Sequence, residues 1–407
     1  MPQPIPETAM SPYITERLNV AILVIAQTLF MVASVTVMTL SGVVGRALGP
    51  DPGLATLPIA MMMLGTVAST LPASLYMKRV GRRAGFIFGS LLGGVGGGLL
   101  AFAAVAWQSF WLFCLGNLLL GLYQGFAMYY RFAAADVASP AFRPRAMSFV
   151  MVGGVVAAFV GPWNANFASG WIAAVPSGGP YLVIALLALV AIGLLVFLHV
   201  PPAGEPKAGD PQRPMGEIAR SRRFIVAALA AASGYAIMIL VMTATPLAMS
   251  NLGYPMSDVA FIMQWHVLGM FAPSFFTGSL IARFGHARIL LAGCLLLAGS
   301  AITATLGSAL LLFWIALVLL GVGWNFLFIG GSALLSTAHS ESERGKVQGV
   351  NDLLIFSLVA LGSLLAGQLL HVAGWAALNL AMLPLIALVA ASAVWLGSRP
   401  RNAGAKN

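Results

Sequence analysis

The sequence predicts an all-α membrane protein of twelve transmembrane helices in two pseudo-symmetric six-helix bundles. Three observations predict it. The 407 residues are 60% hydrophobic and only 8% charged, against about 25% charged in a soluble domain. The apolar runs are about 20 residues long, the length that crosses a hydrocarbon core of roughly 30 Å. A basic turn also recurs: Ser74, Lys78, Arg79 and Gly81 align with Gly278, Ala282, Arg283 and Gly285, each 204 positions later. A fixed offset marks an internal repeat. The chain therefore reads as two copies of one module, each with a tight basic turn after its second span.

The elements follow in order. A polar, Pro-rich tail (1–18) has no basic start and no cleavage site, so no cleavable signal peptide is expected. Spans are expected at 19–41, 56–77, 84–106, 110–136, 146–169 and 180–199, forming a first bundle over 19–199. The third carries Gly85, Gly89, Gly93, Gly97 and Ala101 at four-residue spacing, a small-residue stripe suited to close helix packing. The fifth carries Gly153, Ala157, Gly161 and Ala165, with Pro162 removing one backbone bond, so Gly161 and Pro162 mark a packing or hinge point. A Pro-, Gly- and charge-rich segment (200–223) reads as a flexible linker. Spans at 224–248, 257–281, 288–306, 309–335, 347–371 and 376–396 form a second bundle over 224–396, and 397–407 is a tail.

Charge orients the chain. Loops after odd-numbered spans hold one cation, Arg46. The tails and the loops after even-numbered spans hold the rest, including Lys78, Arg79, Arg82, Arg83, Arg143, Arg145, Lys207, Arg213, Arg283 and Arg288. The positive-inside rule then places both termini in the cytoplasm of a bacterial-type inner membrane. Net charge +10 is accounted for by these loops, so nucleic acid is not the expected partner; membrane lipid is. Trp107, Trp111, Trp171, Trp314 and Trp375 gather at the opposite ends of spans, as an interfacial belt does. Cys114 and Cys294 lie inside apolar runs and suggest neither a disulfide nor a metal site.

Twelve spans in two repeats, with basic turns after spans 2 and 8, resemble the major facilitator superfamily over nearly the whole chain. Its loop motif, G-x-x-x-D-R-x-G-R-R, is matched at Arg79, Gly81, Arg82 and Arg83, with Ser74 at the leading glycine and Lys78 at the acid. The second copy keeps Gly278, Arg283 and Gly285 and has Ala282 at the acid. The motif typical of its proton-linked exporters survives only as Gly161 and Pro162, with Ala157, Ala165 and Asn166 at the other glycines and Asn117 at the span-4 arginine. The resemblance implies alternating access about one site near the bilayer midplane. It also implies a gate at the basic end, built from Lys78, Arg79, Gly81, Arg82, Asp136, Arg283, Gly285 and Asp352. Asp136 is expected to pair with Arg79 or Arg82, and Lys78 with Asp352 across the halves.

Ionisable groups inside a span are costly and are functional candidates by default. Arg131 either holds an anionic substrate group, snorkels to the interface, or pairs with Asp136. His266 either carries coupling protons or is a neutral hydrogen-bonding residue beside Gln264 and Trp265. Gln27, Gln124, Asn164, Tyr235, Trp324 and Asn325 complete a candidate aromatic and polar pocket. No phosphate-binding loop, nucleophile and base, or metal-ligand cluster stands out. The expected function is small-molecule transport without a cofactor, by a monomer, as proton-coupled efflux. The alternatives are import or facilitated passage of a small organic anion through Arg131 and His266, and a non-transporting receptor or enzyme.

Overall fold

The structure, a computed structural model, describes residues 12–139, 142–200, 213–340 and 342–398. The described elements are helices, as expected where no water can satisfy an exposed backbone. The first half holds α1 (Pro12–Leu48), α2 (Leu57–Val80), α3 (Arg82–Ala106), α4 (Phe110–Val137), α5 (Arg143–Phe167) and α6 (Gly179–Leu195). The second holds α7 (Arg222–Asn251), α8 (Met256–Phe271 and Ser274–Phe284), α9 (His286–Thr303) and α10 (Leu310–Leu335). It ends with α11 (Arg344–Leu380) and α12 (Leu383–Gly397). Among the described residues, eight helical stretches are long and apolar enough to cross a membrane, nine if the bent pair in α8 is one span. That count takes 344–397 once, although the chain turns at Gly374 (φ 79°), and includes neither α5 nor the shorter Gly179–Leu195. The last expected span, 376–396, is thus shared between the end of α11 and α12.

The repeat is visible in the packing. In the first half α1 lies on α5 and α2 on α4; in the second α7 lies on α11 and α8 on α10. The halves meet through α5 with α8, α2 with α11, and α1 with α7, which are symmetry-related pairings. The repeat is equally visible in the turns. Gly81 (φ 87°, ψ 157°) and Gly285 (φ 84°, ψ 160°) share one backbone conformation, and each closes the helix before it. Their N–H groups donate to Met77 O at 3.0 Å and Ile281 O at 2.8 Å. A Cβ at either glycine would meet nothing within 4 Å, so conformation rather than space demands glycine there.

The small-residue stripe of α3 serves packing. A Cβ on Gly93 would sit 2.4 Å from the backbone nitrogen of Tyr123, so α3 and α4 touch backbone to backbone. A short π-helical stretch, Ser90–Gly96, lies within this contact. On α5, Gly161 abuts Val35 of α1, and its carbonyl accepts from Thr36 Oγ1 at 3.1 Å. The hinge expectation at Gly161 and Pro162 therefore falls on a tight α1–α5 seam.

Residues 201–212 of the expected linker lie outside the described residues, as do Arg399, Arg401 and Lys406 of the tail. From 213 onward the linker is docked. Arg213 Nε and Nη2 donate to Glu343 Oε1 and Oε2 at 2.9 and 2.8 Å. The backbone N–H groups of Arg213 and Ser340 donate to the same carboxylate, each at 2.9 Å. Glu343 is buried and held well below the usual carboxylate range, first by the Arg213 guanidinium and then by these N–H groups.

Candidate functional site

Neighbouring residues on a helix point about 100° apart, and this separates the candidates. On α10, Trp324 and Asn325 leave in different directions. Trp324 is stacked on Phe328, with ring centroids 4.9 Å apart and planes 9° apart. Tyr235 of α7 meets Trp324, Phe328 and Phe356 of α11 at 5.3, 5.4 and 6.3 Å. Phe271 of α8 lies 6.1 Å from Trp324. Four helices of the second half thus converge on one aromatic cluster. Phe271 also packs against Gly154 of α5, where a Cβ would come within 2.7 Å of its ring, so the cluster borders the other half. Trp324 is 4% exposed, and its buried indole Nε1–H has no hydrogen-bond partner among the described residues. A buried donor left unpaired is costly, and here it lies among flat apolar rings.

Asn325 does different work. Its Nδ2 donates to Met270 O and Ser274 Oγ, and its Oδ1 accepts from Thr277 Oγ1, all at 2.7 Å. These bonds clamp the 42° bend of α8 around Pro273, where the helical ladder is broken. Asn164 is likewise occupied, donating to Thr36 Oγ1 at 3.2 Å and Pro180 O at 3.4 Å. Both asparagines hold helices together.

On α8, His266 and Trp265 also diverge. His266 is fully buried against α10, with Nδ1 2.8 Å from Leu317 O. A carbonyl only accepts, so Nδ1 carries a proton, and the buried Nε2 has no hydrogen-bond partner among the described residues. Trp265 is exposed between Phe261 and Trp314, at 6.4 and 5.6 Å, away from the Tyr235 cluster. Gln264 is half-buried and Gln27 of α1 likewise. Gln124 lines a small void in the first half with Phe30, Ser34, Met62 and Tyr123. The buried Oε1 of Gln124 has no hydrogen-bond partner among the described residues.

At the basic end, Arg82 forms an ion pair with Asp136, one of the two pairings expected there. The expected bridge from Lys78 to Asp352 does not form: Lys78 is exposed and makes no ion pair with a described residue. Asp352 instead faces Arg131. The two act on each other's charge across the halves, from α11 and α4, without a direct ion pair. Arg131 stacks its guanidinium 4.7 Å over Phe132, and its buried Nε has no hydrogen-bond partner among the described residues. The physical reason for the exchange is reach. Asp352 is half-buried and within electrostatic range of Arg131 in the other half, whereas Lys78, like Arg79, is exposed at the end of α2. Arg283 lies 5.2 Å over Phe284. At the other end the halves are joined directly, the N–H of Gly367 donating to Thr56 Oγ1 at 3.0 Å.

Sequence reasoning named Tyr235 and Trp324 but missed Phe271, Phe328 and Phe356. A phenylalanine inside an apolar span carries no signal that separates a pocket wall from a lipid-facing side chain.

Comparisons with known proteins agree with this architecture. The sequence profile of the Major Facilitator Superfamily matches residues 22–272 and again 228–407. The chain is 44% identical over 392 residues to the riboflavin transporter RfnT of Brucella anthropi, covering 96% of this chain and 98% of that one. It is 31% identical to the MFS-type transporter YdeG of Bacillus subtilis, covering 86% and 84%. Among solved structures, the human organic anion transporter MFSD10 superposes with a TM-score of 0.63 at 17% identity, over 93% of this chain and 99% of that one, a likeness of fold. The chain is a multi-pass membrane transporter, not an enzyme, and belongs to the major facilitator superfamily.

Proposed function

We propose that this chain carries a planar, uncharged aromatic heterocycle of the riboflavin type across the plasma membrane by alternating access, with both termini in the cytoplasm. The observation that carries the reading is the cluster of Tyr235, Phe271, Trp324, Phe328 and Phe356. Its ring faces suit a flat π-system, since aromatic pairs favour offset-stacked and edge-on contacts. The unpaired N–H of Trp324 suits a ring carbonyl or ring nitrogen. The high identity to a riboflavin transporter over nearly both full lengths supports the same substrate class.

The expectation of proton-coupled efflux has less support. No Asp or Glu lies at mid-membrane depth, and the ring of His266 is anchored to Leu317. A carrier without a coupling group moves its substrate down its gradient, so the reading is facilitated passage. A second reading, proton-coupled export, rests on Asp352, a partly buried carboxylate opposite Arg131. The test is growth of a riboflavin-auxotrophic bacterium lacking its own flavin carrier, expressing this chain, on micromolar riboflavin. Initial uptake of radiolabelled riboflavin by the same cells that survives collapse of the proton gradient supports facilitated passage. Uptake lost on collapse supports proton-coupled uptake, and no growth with a correctly inserted protein removes riboflavin import, leaving export, which is read as riboflavin released from preloaded cells.

A further inference from the structure

A groove of about 420 Å³ opens on the first half, between α2, the start of α3, and α4. It is lined by Ala68, Pro72, Tyr76, Phe88, Leu122 and Phe126, among others, all from the first half. Its inner part is aromatic: Tyr76, Phe88 and Phe126 lie 5.1 to 6.4 Å apart, ring to ring. Leu71, Leu75, Leu91 and Leu115 are exposed on the same helices, so this surface meets hydrocarbon rather than water. From Gly65 to Tyr76 the groove follows α2 for about 16 Å at 1.5 Å per residue. That is about half of a hydrocarbon core of roughly 30 Å, the depth of one leaflet.

The groove ends beneath the turn between α2 and α3. Lys78, Arg79 and Arg83 stand there, all exposed and none in an ion pair with a described residue. Arg82 is already neutralised by Asp136. An apolar slot one leaflet deep therefore ends at three uncompensated cations at headgroup depth.

We propose that this groove binds one anionic phospholipid, an acyl chain lying along Ala68, Pro72 and Phe126 and the phosphate held by Lys78, Arg79 and Arg83. The pairing of slot and charge selects the lipid. A zwitterionic headgroup offers no net charge to the cluster, and a free anion leaves the slot unfilled. The site is separate from the Tyr235 cluster, which belongs to the second half. Because α2 also packs on α11, the lipid lies behind a helix that joins the two halves.

The test is native mass spectrometry of the full-length, detergent-purified protein, titrated with phosphatidylglycerol or phosphatidylcholine of identical acyl chains. One phosphatidylglycerol should be retained in preference to phosphatidylcholine. Each cation near a membrane surface strengthens anionic lipid binding about five-fold, so the combined Lys78→Ala, Arg79→Ala, Arg83→Ala variant should lose the preference. Ala68 is exposed in the groove, so Ala68→Phe fills the slot from its open side. It should lower retention of phosphatidylglycerol with the cations intact and the melting temperature unchanged. Equal retention of the two lipids by the unmodified protein overturns the proposal. So does an undiminished preference in the triple variant, or an unaltered retention in Ala68→Phe.

Discussion

Replacing Tyr235 with alanine removes the ring that touches Trp324, Phe328 and Phe356 at once. Each such pair is worth about 0.5–1.5 kcal/mol beyond its buried area, so the three together give about 1.5–4.5 kcal/mol of folded-state stability. For a bound flat heterocycle, the loss of one aromatic contact costs about 1–3 kcal/mol by analogy with base stacking, or roughly 5- to 150-fold in Kd. Tyr235→Phe separates ring from hydroxyl. The hydroxyl makes no hydrogen bond with a described residue, so the phenylalanine variant should bind within about two-fold of the unmodified protein. The assay is quenching of riboflavin fluorescence by detergent-solubilised protein, with thermal melting run in parallel to hold every variant in its folded range. A folded Tyr235→Ala variant that quenches with unchanged affinity would refute the assignment of the cluster as the site.

Four further outcomes follow from the structure. Asn325→Ala should destabilise the protein by about 1–3 kcal/mol by thermal melting, because Met270 O loses its Nδ2–H donor beside the α8 bend. Gly81→Ala and Gly285→Ala should each cost about 1–3 kcal/mol, since their φ of 87° and 84° with extended ψ is a glycine-only region. Gly278→Ala, in open space within helix α8, should cost nothing measurable by the same melting assay. The depressed Glu343 carboxyl stabilises the fold fully above its unfolded titration near pH 4.3, and that stability is lost as pH falls through the lower folded value. Melting temperature should thus be insensitive to this group from pH 7 to about 5 and fall below that, and Glu343→Gln should flatten the acid limb.

The fold was legible because its signals are local. Span length, loop charge and the turn glycines each follow from a few adjacent residues, and Gly81 and Gly285 adopt nearly one conformation 204 residues apart. The candidate site was legible only in part, because its residues converge from α7, α8, α10 and α11. Tyr235 and Trp324 stood out by type. Asn325 stood out equally, yet its hydrogen-bonding capacity is taken up by the α8 bend. The run of Gln264, Trp265 and His266 looked like one unit, but a helix turns each residue to a different neighbour. The meeting of Arg131 with Asp352 is set by the approach of the two halves, which no stretch of sequence displays. The docking of Arg213 on Glu343 joins residues 130 positions apart and was hidden for the same reason.

The central claim is that the aromatic cluster of the second half moves a flavin. The measurement that tests it most directly is counterflow of radiolabelled riboflavin into proteoliposomes that hold the purified protein and unlabelled riboflavin. The account predicts transient accumulation of label above protein-free vesicles with no imposed ion gradient, reduced at least five-fold at sub-saturating riboflavin in Tyr235→Ala and retained in Tyr235→Phe. Label that never exceeds the protein-free level, or accumulation unchanged in a folded Tyr235→Ala protein, would contradict it.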